Sequence, residues 1–324
     1  MTKPSDLFRR HPDNPILTAH DWPYPCHSVF NPGAVRMKDG STLLLVRVED
    51  FRGFSHLTAA RSQNGVDAWE IDPEPTFSAD PNVAGERWGL EDPRITYVPE
   101  LDDYVITYTS VSPSGPSVSI ARTDDFKTFE RMGVVMPPDD KDSCLLPRKF
   151  KDGYALVHRP VSREQAHIWI SFSPDLRNWG RSQLMLPARS GVWWDANKIG
   201  LSPNLIETKA GWLMMYHGVR KHASGSIYRT GLALFDKDNP TKCLLRGEPW
   251  AIEPSAPYER VGDVPYVVFA CGAVLQDDDD TLRLYCGAAD QVVTLMETRV
   301  SDCLAWLDQY GKPPEPGSDV MGGM

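Results

Sequence analysis

Lys151-Asp152-Gly153-Tyr154-Ala155-Leu156-Val157-His158 joins a turn to an apolar strand, and its recurrence decides the fold. Lys-Asp-Gly supplies turn chemistry, and the β-prone run after it ends in a polar residue. The same unit recurs at Lys38-Asp39-Gly40 before Thr42–Val46, at Leu101-Asp102-Asp103 before Tyr104–Tyr108, at Lys209-Ala210-Gly211 before Trp212–Tyr216, and at Asp278-Asp279-Asp280 before Leu282–Cys286. Second strands are expected near Leu57–Arg61, Ser117–Arg122, His167–Phe172 and Tyr228–Phe235. Three of them end alike: Ser62-Gln63-Asn64 leads to Trp69, Thr123-Asp124-Asp125 to Phe129, and Ser173-Pro174-Asp175 to Trp179. The hydroxyl and the Asx side chain can satisfy turn amides while the aromatic covers the hairpin end. Asp236-Lys237-Asp238 before Asn239-Pro240 is a looser copy.

Five such units, each about the length of one four-stranded blade, predict an all-β fold, a five-bladed β-propeller, with a β-sandwich as the competing arrangement. Ser301–Leu307 reads as one short helix. Residues 1–312 are expected to form a single catalytic domain, and the Pro/Gly-rich residues 313–324 a mobile tail.

Composition narrows the function. The 324 residues are 41% hydrophobic and 24% charged, with 24 Gly and 28 Pro, which suits many short strands and turns. The net charge of -10 and the lack of a Lys/Arg block argue against a nucleic-acid partner. No apolar run reaches membrane-spanning length, and the N-terminus shows no signal-peptide pattern. Six scattered cysteines without C-x-x-C read as thiols of a cytoplasmic protein. There is no H-E-x-x-H, P-loop or G-x-G-x-x-G, and the spacing of His217 and His222 is a weak metal signal, so no metal or organic cofactor is expected.

Gly89-Leu90-Glu91-Asp92-Pro93-Arg94 sets two carboxylates, a proline and an arginine before the apolar run from Ile95. Pro cannot join a ladder and Asp disfavours a pleated surface, so the hexapeptide reads as a tight turn that precedes a strand and presents Asp92. A purely structural Asp-Pro turn, with Arg94 neutralising Glu91, competes with that reading. In a radial fold, the residues that follow the first strand of each unit should face one another. Here they are Arg47-Val48-Glu49-Asp50, Tyr108-Thr109, His158-Arg159, His217 and Ala288-Ala289-Asp290, a recurring set of ionisable groups. Trp88, Trp193 and Trp194 lie in turn-rich sequence, where aromatic platforms for sugar C–H faces are expected as much as core.

These stretches resemble glycoside hydrolase family 130, the mannoside phosphorylases and related β-mannosidases. The resemblance runs in order through Phe30-Asn31-Pro32-Gly33-Ala34, Arg47–Asp50, Gly89–Arg94, His158-Arg159-Pro160, Lys198-Ile199-Gly200, Tyr216-His217-Gly218-Val219, Tyr228-Arg229-Thr230-Gly231 and Gly287-Ala288-Ala289-Asp290. It implies a five-bladed propeller and inverting phosphorolysis of β-mannosides, giving α-mannose 1-phosphate and a shortened sugar. Inorganic phosphate is then a co-substrate and a manno-oligosaccharide the partner. By this resemblance Asp92 is the general acid, acting through the mannose 3-hydroxyl. Arg159, Lys198 and His217 bind phosphate, with Lys141 or Arg148 as a further basic residue. Asn31, Arg47 and Asp290 hold mannose, with Glu91, Arg94 and Tyr228 beside them.

An ordinary inverting glycosidase needs a second carboxylate to activate water, whereas phosphate is already an anionic nucleophile. The retained basic residues therefore favour a glycosyltransferase-type phosphorylase over an inverting β-mannosidase, and over a non-catalytic propeller platform. Pro137-Pro138, Lys141-Asp142, Trp193-Trp194-Asp195 and Ser112–Pro116 are most like the branch that acts on β-1,2-linked mannose, while Ser143-Cys144 and Tyr285-Cys286 depart from the family pattern. Self-association is left open.

Overall fold

The computed structural model describes residues 7–162, 165–223 and 225–314. Residues 315–324, most of the expected tail, lie outside the described residues.

The fold is all-β and built from antiparallel meanders. After the short β1 (Arg9–Arg10), the first meander is β2 (Ser28–Arg36), β3 (Thr42–Glu49), β4 (Ser55–Ser62) and β5 (Glu70–Ile71), each paired with the next. The second is β6 (Gly89–Val98), β7 (Asp103–Ser112), β8 (Gly115–Thr123) and β9 (Glu130–Met136). The third runs through β10 (Asp140–Leu145), β11 (Tyr154–Ser162), the two-residue β12 (Gln165–Ala166), β13 (Ile168–Ser173) and β14 (Gly180–Leu186). In the fourth, β15 (Lys198–Leu201) and β16 (Ile206–Thr208) both pair with the long β17 (Gly211–His222), and β18 (Gly225–Phe235) and β19 (Cys243–Gly247) follow. After the helical turn α1 (Pro257–Arg260) come β20 (Val268–Leu275), β21 (Thr281–Ala288) and β22 (Val292–Arg299). The N-terminal β1 pairs with β22 and so ties the chain's start to its last sheet. Helix α2 (Val300–Tyr310) covers the expected helix, and β23 (Gly311–Lys312) joins β19.

The apolar runs that mark the repeats are the second strand of each meander, and they are buried on both faces. Alternate residues of a strand point to opposite sides. Leu43 and Leu45 pack with Ile95, Ile106 and Tyr108 of the second meander, while Leu44 and Val46 pack with Val274, Tyr285 and Leu295 of the last. Met214 and Tyr216 likewise face Ala155, Val157 and Ile170, while Leu213 and Met215 face Leu282 and Leu284. Val98 and Val105 meet Leu145 and Tyr154. Each such side chain contributes about 1.5–3 kcal/mol on burial. The hairpin ends close as expected: the Asn64, Asp125 and Asp175 carbonyl or carboxylate oxygens accept backbone N–H groups of Val66, Lys127 and Arg177.

The inner strands differ from expectation. Glu91, Asp92 and Pro93 lie inside β6, not in a turn before it. A bulge between Glu91 and Arg94 explains this, because it takes Pro93 out of the ladder and gives Asp92 a left-handed φ of 49°. Similar bulges interrupt β2 between Phe30 and Gly33 and β10 between Lys141 and Cys144, with Asn31 at φ 44° and Asp142 at φ 53°.

Candidate active site

The three bulges aim polar residues into one cavity. Its volume is about 100 Å³. Asn31, Arg47, Asp92, Tyr228 and Asp290 line it, and so do Lys141, Arg159, Lys198 and His217. Nine of the twelve residues singled out in the sequence therefore converge. Val264, Val267 and Phe269 supply apolar wall. A larger open groove lies beside Met185, Arg189, Trp193 and Lys312, but none of those twelve residues lines it.

Asp92 is 3% exposed. Its Oδ1 accepts from Asn31 Nδ2 at 2.9 Å and from Arg47 Nη1 at 3.0 Å. Among the described residues no protein donor is assigned to Oδ2, which leaves that oxygen for a substrate hydroxyl. Burial pushes the carboxyl up, but Arg47, Lys141 and Arg94 outweigh it and hold Asp92 below the usual carboxylate range. Arg47 is itself shared, bonding Glu91 Oε1 at 3.0 Å and Ser55 Oγ at 3.0 Å. Asp290 behaves in the opposite way. Burial, reinforced by Asp92 and Glu49, pushes it up to about 6 despite Arg47 and Lys141.

The basic residues form a second group. Arg159 is 4% exposed and grips Asp142 Oδ2 through Nε at 2.9 Å and Nη2 at 2.8 Å. Its backbone N–H donates to Asp140 Oδ1 at 3.0 Å, and Asp140 is braced by His158 Nδ1 at 2.6 Å. Lys198 Nζ lies 5.3 Å from the Tyr228 ring centre. Among the described residues neither Lys141 nor Lys198 has a carboxylate within ion-pair distance, so both ammonium groups remain available to an anion. Burial opposes the charge on Lys141, yet Glu91, Asp142 and Asp92 raise its pKa and keep it protonated. His217 differs: burial lowers it to about 3 against the pull of Asp142, so it enters the site as a neutral imidazole. Its Nε2 stands 3.4 Å from Asp142 Oδ2, and Nδ1 has no hydrogen-bond partner.

Some expectations fail on placement. Arg94 does not line the cavity. It is 1% exposed and donates to the carbonyls of Ser202, Leu201 and Asp92, so it is a strut beneath the Asp92 bulge, not a mannose contact. Arg148 lies elsewhere, bonded to the Lys237 carbonyl and over the Phe150 ring, so of the two only Lys141 lines the cavity. Glu91 reaches the site only through Arg47. Tyr108 is turned into the core, where its hydroxyl donates to Glu86. Trp88 and Trp193 are exposed, whereas Trp194 is buried and stacked on Tyr216. Asp142, quoted in the sequence only as part of a branch-like stretch, was given no role in the site. Local sequence does not mark it, since Lys141-Asp142-Ser143 shares only the central Asp with Glu91-Asp92-Pro93; the matching bulge does.

The sequence profile described as beta-1,4-mannooligosaccharide phosphorylase, that of glycoside hydrolase family 130, matches residues 7–309. A β-1,4-mannooligosaccharide phosphorylase of Ruminococcus albus is 31% identical over 94% of this chain and 92% of its own. A β-1,2-mannobiose phosphorylase of Listeria innocua is 34% identical over 80% of this chain and 72% of its own. The solved structure of β-1,2-mannobiose phosphorylase from Listeria innocua, in complex with β-1,2-mannobiose, superposes with a TM-score of 0.84 at 28% identity, over 93% of this chain and 99% of that one. With its bulged inner strands and convergent cavity, the chain belongs to glycoside hydrolase family 130.

Proposed function

We propose that this protein is a β-mannoside phosphorylase that transfers mannose from a β-mannoside, β-1,2-linked oligomers first among them, to inorganic phosphate with inversion. The observation that carries this reading is the joint lining of one cavity by Asp92 and by Lys141, Arg159 and Lys198. Phosphate held by these cations attacks the anomeric carbon from the face opposite the leaving oxygen. The C–O bond to the leaving sugar breaks as the bond to phosphate forms. Asp92 supplies the proton that the leaving oxygen needs, relayed through the mannose 3-hydroxyl. Asn31, Arg47 and Asp290 hold the mannose, with Tyr228 beside them.

The low pKa of Asp92 fits an acid that is loaded by its co-substrate. Lys141 is one of the charges that keep Asp92 ionised. A phosphate anion beside Lys141 offsets that charge, and Asp92 takes up its proton as the complex assembles. General acid catalysis of this kind contributes on the order of 10² to 10⁴ in rate.

The same reading takes the fold as a five-bladed propeller within a domain spanning residues 1–312. It is supported by the way each meander packs its two faces on its neighbours and by the pairing of β1 with β22. A cytoplasmic location is supported by the buried thiols Cys26, Cys144, Cys271, Cys286 and Cys303, and no helix among the described residues is long and apolar enough to cross a membrane. One observation favours the hydrolase alternative: Asp290, pushed up to about 6, has the basicity to activate a water. Incubation with β-1,2-mannobiose, with and without phosphate, separates the two. Sugar phosphate formed only with phosphate supports the phosphorylase; free mannose formed at equal rates in both supports the hydrolase.

A further inference from the structure

The third bulge residue puts a carboxylate among the groups that receive phosphate. Asn31, Asp92 and Asp142 occupy matching left-handed positions on β2, β6 and β10, and all three line the cavity. Asp142 is thus the counterpart of Asp92 one meander on, in different surroundings. Its side chain is fully buried. Oδ2 is held by Arg159 and faces His217. Oδ1 has no hydrogen-bond partner, and Arg94 Nη2, at 4.0 Å, is beyond hydrogen-bond reach. The carboxylate is pinned as well as buried. A methyl group added at Gly200 on β15 would lie 2.3 Å from Asp142 Oδ2 and 2.5 Å from His217 Cε1, so the backbone of β15 closes on this pair.

A fixed carboxylate beside a bound anion repels it, unless the ligand brings a proton to the contact. An acidic O–H then donates to the carboxylate in a short, charge-assisted hydrogen bond, and repulsion becomes attraction. Phosphate at neutral pH retains a P–OH; sulfate, of the same shape, does not. The uncharged His217 adds no cation that would compensate for a bare anion. We propose that Asp142 determines the nucleophile's identity by accepting a hydrogen bond from the hydroxyl of protonated phosphate, so that the cavity admits protonated tetrahedral oxyanions, phosphate and arsenate, and refuses sulfate. The proton stays on the phosphoryl group throughout, and its anchoring on Asp142 turns an unprotonated oxygen toward the anomeric carbon. This inference rests on the phosphorylase reading.

The test is phosphorolysis of β-1,2-mannobiose with phosphate varied and sulfate added as competitor, on the wild type and on Asp142→Asn. In the wild type, sulfate should fail to compete even at about a hundredfold excess over the phosphate KM, since a site built around one hydrogen bond rejects an analogue that lacks it. In Asp142→Asn the carboxylate's charge is gone and an amide N–H can face the ligand. The phosphate KM should rise, and sulfate should become a competitive inhibitor, narrowing the discrimination at least about tenfold. Sulfate competing with the wild type near the phosphate KM, or an Asn variant with unchanged discrimination, overturns the proposal. Calorimetric titration of both anions into both proteins gives the same comparison without turnover, should the variant be inactive. If phosphate neither binds nor changes the rate of mannose release, the phosphorylase reading falls and takes the inference with it. If phosphorolysis proceeds but sulfate binds equally well, only the inference falls.

Discussion

Replacing Asp290 by Asn should stabilise this protein at neutral pH while impairing it as an enzyme. Asp290 follows β21 at φ 53°, a conformation Asn adopts as readily as Asp, so the change adds no backbone strain. The half-buried carboxyl has Asp92 and Glu49 near it and stands at about 6 instead of 3.8. The folded state therefore holds this proton more tightly than the unfolded chain does. Between about pH 4 and 6 the folded state binds more protons, so stability falls as pH rises through that window. Above it the penalty is fully present. A shift of about two units at 1.36 kcal/mol each sets an upper bound of roughly 3 kcal/mol, so a gain on the order of 1–3 kcal/mol is expected from Asp290→Asn. Urea denaturation of both proteins at a series of pH values is the assay. The stability difference should be largest above pH 7 and shrink toward zero near pH 4. A variant no more stable than the wild type at pH 7.5, or a gain that does not depend on pH, would refute the reasoning. Turnover should fall in the same variant, as for other sites where function is kept at a cost in stability.

Other outcomes follow from the same geometry. Asp92→Asn should leave the circular dichroism spectrum unchanged and reduce kcat by roughly 10² to 10⁴; a variant retaining more than about a tenth of the wild-type rate removes Asp92 as the acid. Arg159→Ala should raise the phosphate KM far more than the mannobiose KM, whereas Arg148→Ala, bonded to the Lys237 carbonyl outside the cavity, should leave the phosphate KM unchanged. Gly200→Ala drives a methyl group into Asp142 and His217. It should cost about 1–3 kcal/mol in thermal or urea unfolding and raise the phosphate KM as well; a variant with neither effect shows that the β15 approach does not shape the site.

The second strand of each meander was legible because burial on both faces leaves a continuous apolar run, as in Leu43-Leu44-Leu45-Val46 and Leu213-Met214-Met215-Tyr216. The hairpin ends were legible for another reason: Asx and hydroxyl side chains act on neighbouring amides, a local effect. The inner strands were not. Asn31-Pro32-Gly33 and Asp92-Pro93-Arg94 carry turn chemistry within a strand, because a bulge turns one polar residue toward the cavity. The place of Asp142 in the site escaped notice for the same reason, and so did its equivalence to Asp92. The family resemblance placed Asp92, Arg159, Lys198 and His217 in one cavity, but neither it nor local pattern could show that Arg94 is consumed by the carbonyls of Leu201 and Ser202, more than a hundred residues away. The neutrality of His217 also depends on burial and on cations from other meanders.

Proton NMR of a reaction started with β-1,2-mannobiose and inorganic phosphate tests the central claim most directly, because the anomeric signal of the first product reports both nucleophile and stereochemistry. The account predicts α-mannose 1-phosphate formed together with an equal amount of mannose, the leaving sugar, and only a slow background release of mannose when phosphate is omitted. Free mannose appearing equally fast without phosphate would contradict it by making water the nucleophile. The β anomer of mannose 1-phosphate would contradict it by requiring a covalent intermediate and a second catalytic carboxylate.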